Sequence, residues 1–169
     1  MKPQDIIVLI KLHIWDQGRW TFASIANSVF LSQSETHAAI KRLAKASLFD
    51  IALERPRVDA MEEFIIHGLK YTFPPELGAQ TRGIPTAHAA KPMNELIVGK
   101  ESDAYVWPHV KGKTRGQSVA PLYPTAPQAA LADIRMYEFL SLIDCLRIGK
   151  AREHAIAKDE LIKRIRVAK

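Results

Sequence analysis

The sequence predicts a mainly α-helical protein with an N-terminal helical bundle, a proline-rich middle that contains a small β-hairpin, and a C-terminal helical pair. In the first and last thirds of the chain, apolar residues recur at intervals of three and four, as they do on the buried face of a helix. Eight of the ten prolines lie between residues 71 and 127, where they exclude long helices. We therefore divide the 169 residues into three parts, 1–70, 71–127 and 128–169.

The composition favours a polyanionic partner and a reducing compartment. Lysine and arginine number 24 against 18 aspartates and glutamates, which gives a formal net charge of +6. The single cysteine, Cys145, excludes a disulfide within the chain, so we expect a cytoplasmic protein. The longest apolar run near the start, residues 6–10, is too short for a membrane span, and we expect no membrane partner.

Local signals place the first two helices. Pro3 is compatible with a first helical turn, and the apolar pattern that follows it continues towards Gly18, which ends the helix. Thr21 can cap a second helix over residues 22–29, because a threonine hydroxyl accepts hydrogen bonds from the free backbone N–H groups of a first turn.

A third helix follows across a tight turn, and a fourth follows it. Ser32 or Ser34 can cap the third helix, which runs to about residue 47. Asp59 with Glu62 three residues later has the spacing of a capping box and indicates the fourth helix. The positions of the third helix that we expect to face the core are Ala39, Ile40 and Leu43.

Residues 25–49 resemble the helix-turn-helix of MarR-like winged-helix regulators. Ile25 and Ala26 stand where that pattern has Leu-Ala, and residues 31–34, Leu-Ser-Gln-Ser, match its Leu-Ser-x-Ser turn. Leu43 and Leu48 match the apolar residues after which the chain leaves the recognition helix. The resemblance implies a winged-helix-like fold over residues 20–50 and a sequence-specific DNA-binding activity.

The sequence departs from this pattern at three positions. Phe30 replaces the glycine usual in the turn, Thr36 replaces an apolar residue, and Ser47 replaces a glycine before Leu48. These differences affect the geometry of the turns more than the assignment of the helices.

The third helix supplies the candidate DNA-binding residues. If its apolar positions face the core, the opposite face is exposed and basic. Its early polar residues would then meet base edges in the major groove, and its later basic residues would meet phosphates. This set is Ser32, Gln33, Ser34, His37, Ala38, Lys41, Arg42 and Lys45. The alternative is an ordinary solvated helix face, but the preceding turn and short helix favour DNA binding.

The proline-rich middle contains a second basic segment. Strand-forming residues at 104–110 and 117–123 flank the stretch 111–116, which we interpret as a β-hairpin with a basic tip. Its cations, Lys111, Lys113 and Arg115, complete the candidate DNA-binding set if the tip acts as a wing on the DNA backbone. A plain exposed turn explains the same residues.

The C-terminal third predicts two helices, at 131–148 and at 151 to about 167. The first of these carries an apolar surface wider than one partner helix would cover. This surface either completes the core of its own chain or forms a homodimer interface. We expect a homodimer, because helix-turn-helix proteins use two-fold symmetry to read paired half-sites.

We therefore expect a homodimeric, DNA-binding transcription regulator that acts on double-stranded DNA in the cytoplasm. The alternative is an antitoxin-like repressor or interaction protein that binds a partner protein through its middle and C-terminal parts. Such an interface needs exposed aromatic anchors, and the candidates are Tyr105, Trp107, Pro108 and Tyr123.

We expect no enzyme activity, no cofactor and no metal site. The six histidines are scattered, without a pair at metal-ligand spacing, and no nucleophile with an adjacent base is recognisable. Cys145 falls in the apolar stripe of its helix, where a buried thiol is expected.

Overall fold

The structure, a computed structural model, describes residues 1–97 and 104–167. Its helices and strands, numbered along the chain, are α1 (Pro3–His13), α2 (Phe22–Val29), α3 (Gln33–Lys45), β1 (Phe49–Asp50), β2 (Arg55–Pro56), α4 (Val58–Glu63), α5 (Leu69–Thr72), β3 (Leu77–Thr86), α6 (Met93–Leu96), β4 (Tyr105–Pro108), β5 (Thr114–Val119), α7 (Ala126–Ala132), α8 (Ile134–Ile148) and α9 (Ala151–Val167). The mainly α class is confirmed. Each helix of the described residues is too short or too polar to span a bilayer.

The first helix lies at the centre of the N-terminal part. Its apolar residues are wholly covered from Ile6 to Ile10, because α2 and α3 pack on one side and α8 on another. Two charged residues of α1 are also buried, and each has a partner of opposite charge: Asp5 contacts Arg42 and Lys11 contacts Asp133. A helix that is apolar on nearly all faces is stable only inside a core.

The fourth predicted helix forms, but with a different start and an irregular end. Val58 is its first residue, so Asp59 lies in the first turn instead of at the cap, with Arg57 at the N-cap. A π-helical turn, Phe64–Gly68, then joins α4 to α5.

The predicted β-hairpin of the middle part is wrong, because β4 and β5 pair in parallel. Their register places Tyr105 opposite Gln117 and Val106 opposite Ser118. Both strands also pair antiparallel with β3, so each of the three strands is bonded to the other two in a small closed sheet. Gly83 lies where β3 passes from β5 to β4, and a Cβ atom there would collide with the Trp107 carbonyl.

A buried carboxylate fastens this small sheet to α8. Asp144 Oδ2 accepts hydrogen bonds from Thr86 Oγ1 and from Trp107 Nε1, each at 2.7 Å. Its other oxygen, Oδ1, accepts from Arg147 Nη1 at 2.7 Å. Arg147 also donates to the Phe73 carbonyl at 3.0 Å. The Asp144–Arg147 ion pair on α8 therefore contacts β3, β4 and the segment directly after α5.

The C-terminal helices complete the core of their own chain. The sequence predicts one helix over 131–148, but Asp133 ends α7 and caps α8 by accepting from the Arg135 and Met136 N–H groups. Along α8, the residues from Phe139 to Leu146 are buried against α7, α9, α1 and β3. Most of the apolar surface that supports the homodimer expectation is therefore covered by the same chain, while Leu131 and Ile134 at its start stay exposed. Cys145 is buried as predicted, and burial raises the pKa of its thiol.

Candidate nucleic-acid interface

The helix-turn-helix is built by local capping of α2 and α3. Thr21 Oγ1 accepts a hydrogen bond from the Ser24 N–H at 3.0 Å, and Ser24 Oγ accepts from the Thr21 N–H at 2.8 Å. At the other end of α2, Phe30 adopts a left-handed conformation with a φ of 57°. The Ser32 hydroxyl then accepts from the Glu35 N–H at 3.1 Å and caps α3. Two short helices meet across a tight turn, as the sequence predicts.

Both positions at which the winged-helix pattern has glycine adopt glycine-like backbone angles. Phe30 and Ser47 have φ values of 57° and 59°. A non-glycine residue rarely adopts this region without a structural requirement. Both turns therefore hold a non-glycine residue in a conformation that glycine adopts without steric cost.

The outer side of α3 is exposed over most of its length. Thr36, Ala39, Ile40 and Leu43 are buried on the inner side, where α3 packs against α1 and α2. The predicted contact residues that the structure exposes together are Ser32, Gln33, Ser34, His37, Lys41 and Lys45. We call these six residues the α3 face.

Two predicted contact residues do not belong to the α3 face. Ala38 is half-buried at its edge. Arg42 points towards α1, where its Nη2 lies 2.6 Å from Asp5 Oδ1 and its Nε lies 2.9 Å from Asp5 Oδ2. The same Nη2 lies 2.5 Å from Glu35 Oε1. Contrary to the expectation, the Arg42 guanidinium is committed to two carboxylates and is not free for a phosphate.

This ion-pair cluster sets the rotation of α3 relative to α1. Asp5 is fully buried on α1, and its two oxygens accept from Arg42 in a bidentate arrangement that fixes direction as well as distance. Hydrogen bonds from Arg42 and from Gln4 lower the pKa of Glu35. Because the single Arg42 guanidinium faces both Asp5 and Glu35, the cluster keeps one negative charge in excess beside the α3 face.

A short antiparallel strand pair follows α3 directly. In β1 and β2, Phe49 pairs with Pro56 and Asp50 pairs with Arg55, around a turn at residues 51–54. Asp50 Oδ1 accepts from the N–H groups of Ala52 and Leu53, each at 3.0 Å. We call residues 49–56 the wing.

The segment before α2 supports the wing from the side. Trp20 Nε1 donates to the Glu54 carbonyl at 2.9 Å, and Arg19 Nη2 lies 3.5 Å from Glu54 Oε2. The Trp20 ring also makes an edge-to-face contact with Phe49, with ring centroids 6.1 Å apart. The wing is therefore joined to the start of α2 as well as to the end of α3.

A groove of about 540 Å³ separates the α3 face from the wing. Aromatic and aliphatic side chains line it together with the cations Arg19 and Lys41. Phe22 contacts the exposed ring of His37 edge to face, with centroids 5.0 Å apart. The lining residues are Arg19, Trp20, Thr21, Phe22, His37, Ile40, Lys41, Phe49, Ile51 and Glu54.

Sequence reasoning missed the wing residues because their strand signal is weak. Each strand has two residues, and the four turn residues contain neither glycine nor proline. The available signal was the pair Arg55 and Arg57, which adds exposed cations directly after the wing turn. Arg57 lies 3.4 Å from Asp50, an exposed pair that solvent screens strongly.

The second basic segment lies on the small sheet. Lys111, Lys113 and Arg115 are all exposed, and Arg115 stands directly opposite Arg82 of β3. Two like charges at opposed positions disfavour strand pairing. These cations are far in the chain from both α3 and residues 49–56.

The aromatic anchors expected for a protein partner are partly internal. Trp107 is 1% exposed and serves the core through its bond to Asp144. Tyr105 and Tyr123 are half-buried, and Pro108 is exposed. The largest of the four anchors is therefore not available to a partner in this structure. Within residues 1–97 and 104–167, no group of three histidine, cysteine or acidic side chains could hold a metal ion.

The comparisons with known proteins add no relative: no family model, no curated protein and no solved structure matches this chain.

Proposed function

We propose that this protein is a sequence-specific, double-stranded-DNA-binding transcription regulator of the winged helix-turn-helix type. The observation that carries this proposal is the combination of the α3 face with a wing directly after it in the chain. Each feature alone occurs for other reasons. Together they are typical of proteins that bind duplex DNA: two capped helices joined by a tight turn, an exposed polar and basic face on the second helix, and a strand pair directly after it.

In this proposal the α3 face enters the major groove. Gln33, Ser34 and His37 lie in the first half of α3 and supply the donors and acceptors that base edges require. Lys41 and Lys45 lie further along the same face and meet phosphates. Arg42 positions α3 through Asp5 and Glu35 and makes no contact with DNA.

The test is an electrophoretic mobility-shift titration of random duplexes at several salt concentrations. We expect the double change Lys41→Ala with Lys45→Ala to weaken binding to all duplexes, and to reduce the slope of log affinity against log salt by about 2, because each lysine displaces about one counterion. The matched control is Lys150→Ala with Lys163→Ala, which removes two exposed charges far along the chain. Equal salt slopes for the two double variants would contradict the proposal.

Base reading is tested separately from phosphate binding. Selection and sequencing of bound random duplexes gives the preferred site, and Gln33→Ala is expected to relax the preference at one position. A good base contact discriminates by about 1–3 kcal/mol. A preferred site with two symmetric halves would support the homodimer expectation. That expectation came from the apolar surface of α8, most of which is buried within the chain.

Two further expectations remain proposals. Cytoplasmic action rests on the single cysteine. The antitoxin-like alternative, with a protein bound at the middle and C-terminal parts, predicts a stoichiometric protein partner when the full chain is purified from its own cells.

A further inference from the structure

We propose that the tip of the wing is an apolar wedge that enters the minor groove and bends the DNA. This inference rests on the proposed function, since it concerns how the same surface engages its duplex. It assigns Ile51 and Leu53 as the inserting side chains, a role that differs from the electrostatic contact made by a basic wing tip.

The first observation is the exposure of two large aliphatic side chains at one turn. Ile51 is 67% exposed and Leu53 is 58% exposed, and Ala52 between them is also exposed. Single exposed apolar residues are ordinary on a protein surface. Here, however, all three turn residues before Glu54 are aliphatic and exposed, in a turn that joins two strands of only two residues each.

The second observation is that the tip is held in place without using these side chains. Asp50 accepts hydrogen bonds from the backbone N–H groups of Ala52 and Leu53, which fixes the backbone of the turn. Trp20 holds the Glu54 carbonyl on the other side. A wedge that is already ordered loses little conformational entropy when it inserts.

The third observation is the charge around the tip. The cations nearest in sequence or contact are Arg19, which is 83% exposed at its side chain, and the exposed Arg55 and Arg57. Glu54 partly compensates Arg19 at 3.5 Å, and Asp50 lies 3.4 Å from Arg57. Arg55 thus lies next to an aliphatic tip. The aliphatic side chains suit the stacked bases of the minor groove, and the arginine suits the phosphates along its two sides.

These features favour duplex DNA over a protein as the occupant of the tip. The wing is continuous with the proposed interface, because Ile51 and Lys41 line the same groove. Apolar side chains that enter the minor groove unstack a base step and bend the helix towards the major groove. Pyrimidine–purine steps such as TA unstack with the lowest cost, so we expect the wedge to favour them.

The experiment measures bending and affinity on one probe. The probe is a duplex of about 30 base pairs with central TA steps and a donor and an acceptor dye at its two ends. Binding of the unchanged protein at low salt is expected to raise energy transfer, because a bent duplex brings its ends closer. The double variant Ile51→Ser with Leu53→Ser is expected to bind roughly tenfold more weakly. Energy transfer in the duplex that it binds is expected to stay at the level of the free duplex.

A matched control is present in the same chain. Leu77 and Leu96 are each 49% exposed and lie outside the helix that could form a dimer interface, so Leu77→Ser with Leu96→Ser removes two large aliphatic side chains from other exposed sites. This variant is expected to bind and bend the probe as the unchanged protein does. Both double variants are compared by urea unfolding, so that a loss of folding is recognised.

The outcomes separate the wedge from the DNA-binding proposal. A protein that retards the duplex without raising energy transfer binds DNA but has no wedge. Equal bending by the unchanged protein and the wing-tip variant also overturns the wedge. Loss of self-association in the wing-tip variant, with unchanged DNA affinity, would assign the tip to a protein contact. A protein that retards no duplex at low salt overturns both proposals.

Discussion

Ser47 shows how one backbone angle connects the sequence pattern to the structure. The residue follows α3 with a φ of 59°, where the winged-helix pattern has glycine. A left-handed conformation costs an L-residue about 1–2 kcal/mol. Glycine avoids this cost. However, a glycine loses more conformational entropy on folding, which offsets about 0.5–1 kcal/mol of the gain.

We therefore expect Ser47→Gly to raise the free energy of unfolding by about 0.5–1 kcal/mol in urea titrations. Ser47→Val is expected to lower it, because a β-branched side chain fits this region worst. A destabilised glycine variant would show that the serine side chain makes a contribution larger than the strain.

The contact between α1 and α3 predicts how stability depends on pH. Hydrogen bonds from Arg42 and Gln4 lower the pKa of Glu35 below its ordinary value of 4.5 in the folded chain. A carboxyl whose folded pKa is depressed stabilises the fold above its unfolded pKa, and this contribution is lost as the pH falls through the folded value. The window therefore begins near pH 4.5 and extends below it.

We expect Glu35→Gln to lower stability at neutral pH and to make the acid-side decline shallower than in the unchanged protein. Urea unfolding at a series of pH values measures both effects. Asp159→Asn, which changes an exposed carboxylate on α9, serves as the control. Parallel stability profiles for Glu35→Gln and the unchanged protein would show that the ionised Glu35 side chain contributes nothing measurable to stability.

Elements that depend on local signals were predictable, and elements that depend on distant pairing were not. The bounds of α2 and the cap of α3 follow from Thr21 and Ser32, each of which acts on a backbone group three residues away. Strand β3 was missed, because its sequence contains glycine and proline and gains its bonds from strands far along the chain. Strands β4 and β5 run parallel because each pairs antiparallel with β3. Their pairing could therefore not be predicted without β3.

The same distinction applies to the candidate site. Six of the eight predicted α3 positions are exposed together, since helical periodicity decides which side faces outward. The commitment of Arg42 depends on Asp5, which is 37 residues away in the chain, so no local pattern reveals it. The wing likewise needs the Trp20 contact across 34 residues.

Asp144 joins the middle and C-terminal parts of the protein through one buried ion pair. Its carboxylate is 1% exposed, and the Arg147 side chain beside it is 3% exposed. Burial raises the pKa of Asp144, while Arg147 and the donors from Thr86 and Trp107 oppose that shift. Removing one member leaves a buried charge without its partner, which costs about 3–5 kcal/mol.

We expect Asp144→Ala to lower the free energy of unfolding by about 3 kcal/mol or more. The double variant Asp144→Ala with Arg147→Met should recover part of this loss, because it removes the unpaired cation. Urea unfolding gives the energies, and the indole N–H signal of Trp107 in nitrogen-15 NMR reports the local contact. A single variant within 1 kcal/mol of the unchanged protein would show that water or another group satisfies Arg147 at little cost.

The complete enclosure of α1 has a consequence for how the chain can be divided. Lys11 is bound to Asp133 at 2.6 Å, and the Val29 carbonyl accepts from the Thr125 hydroxyl at 2.9 Å, so both the C-terminal part and the end of the middle part hold the first part in place. The change in composition at residue 70 is thus not a place to cut. A fragment of residues 1–70 would expose the apolar surface of α1 that α8 covers in the whole chain and would leave the Lys11 ammonium group without its carboxylate, so we expect it to be much less stable than the whole chain.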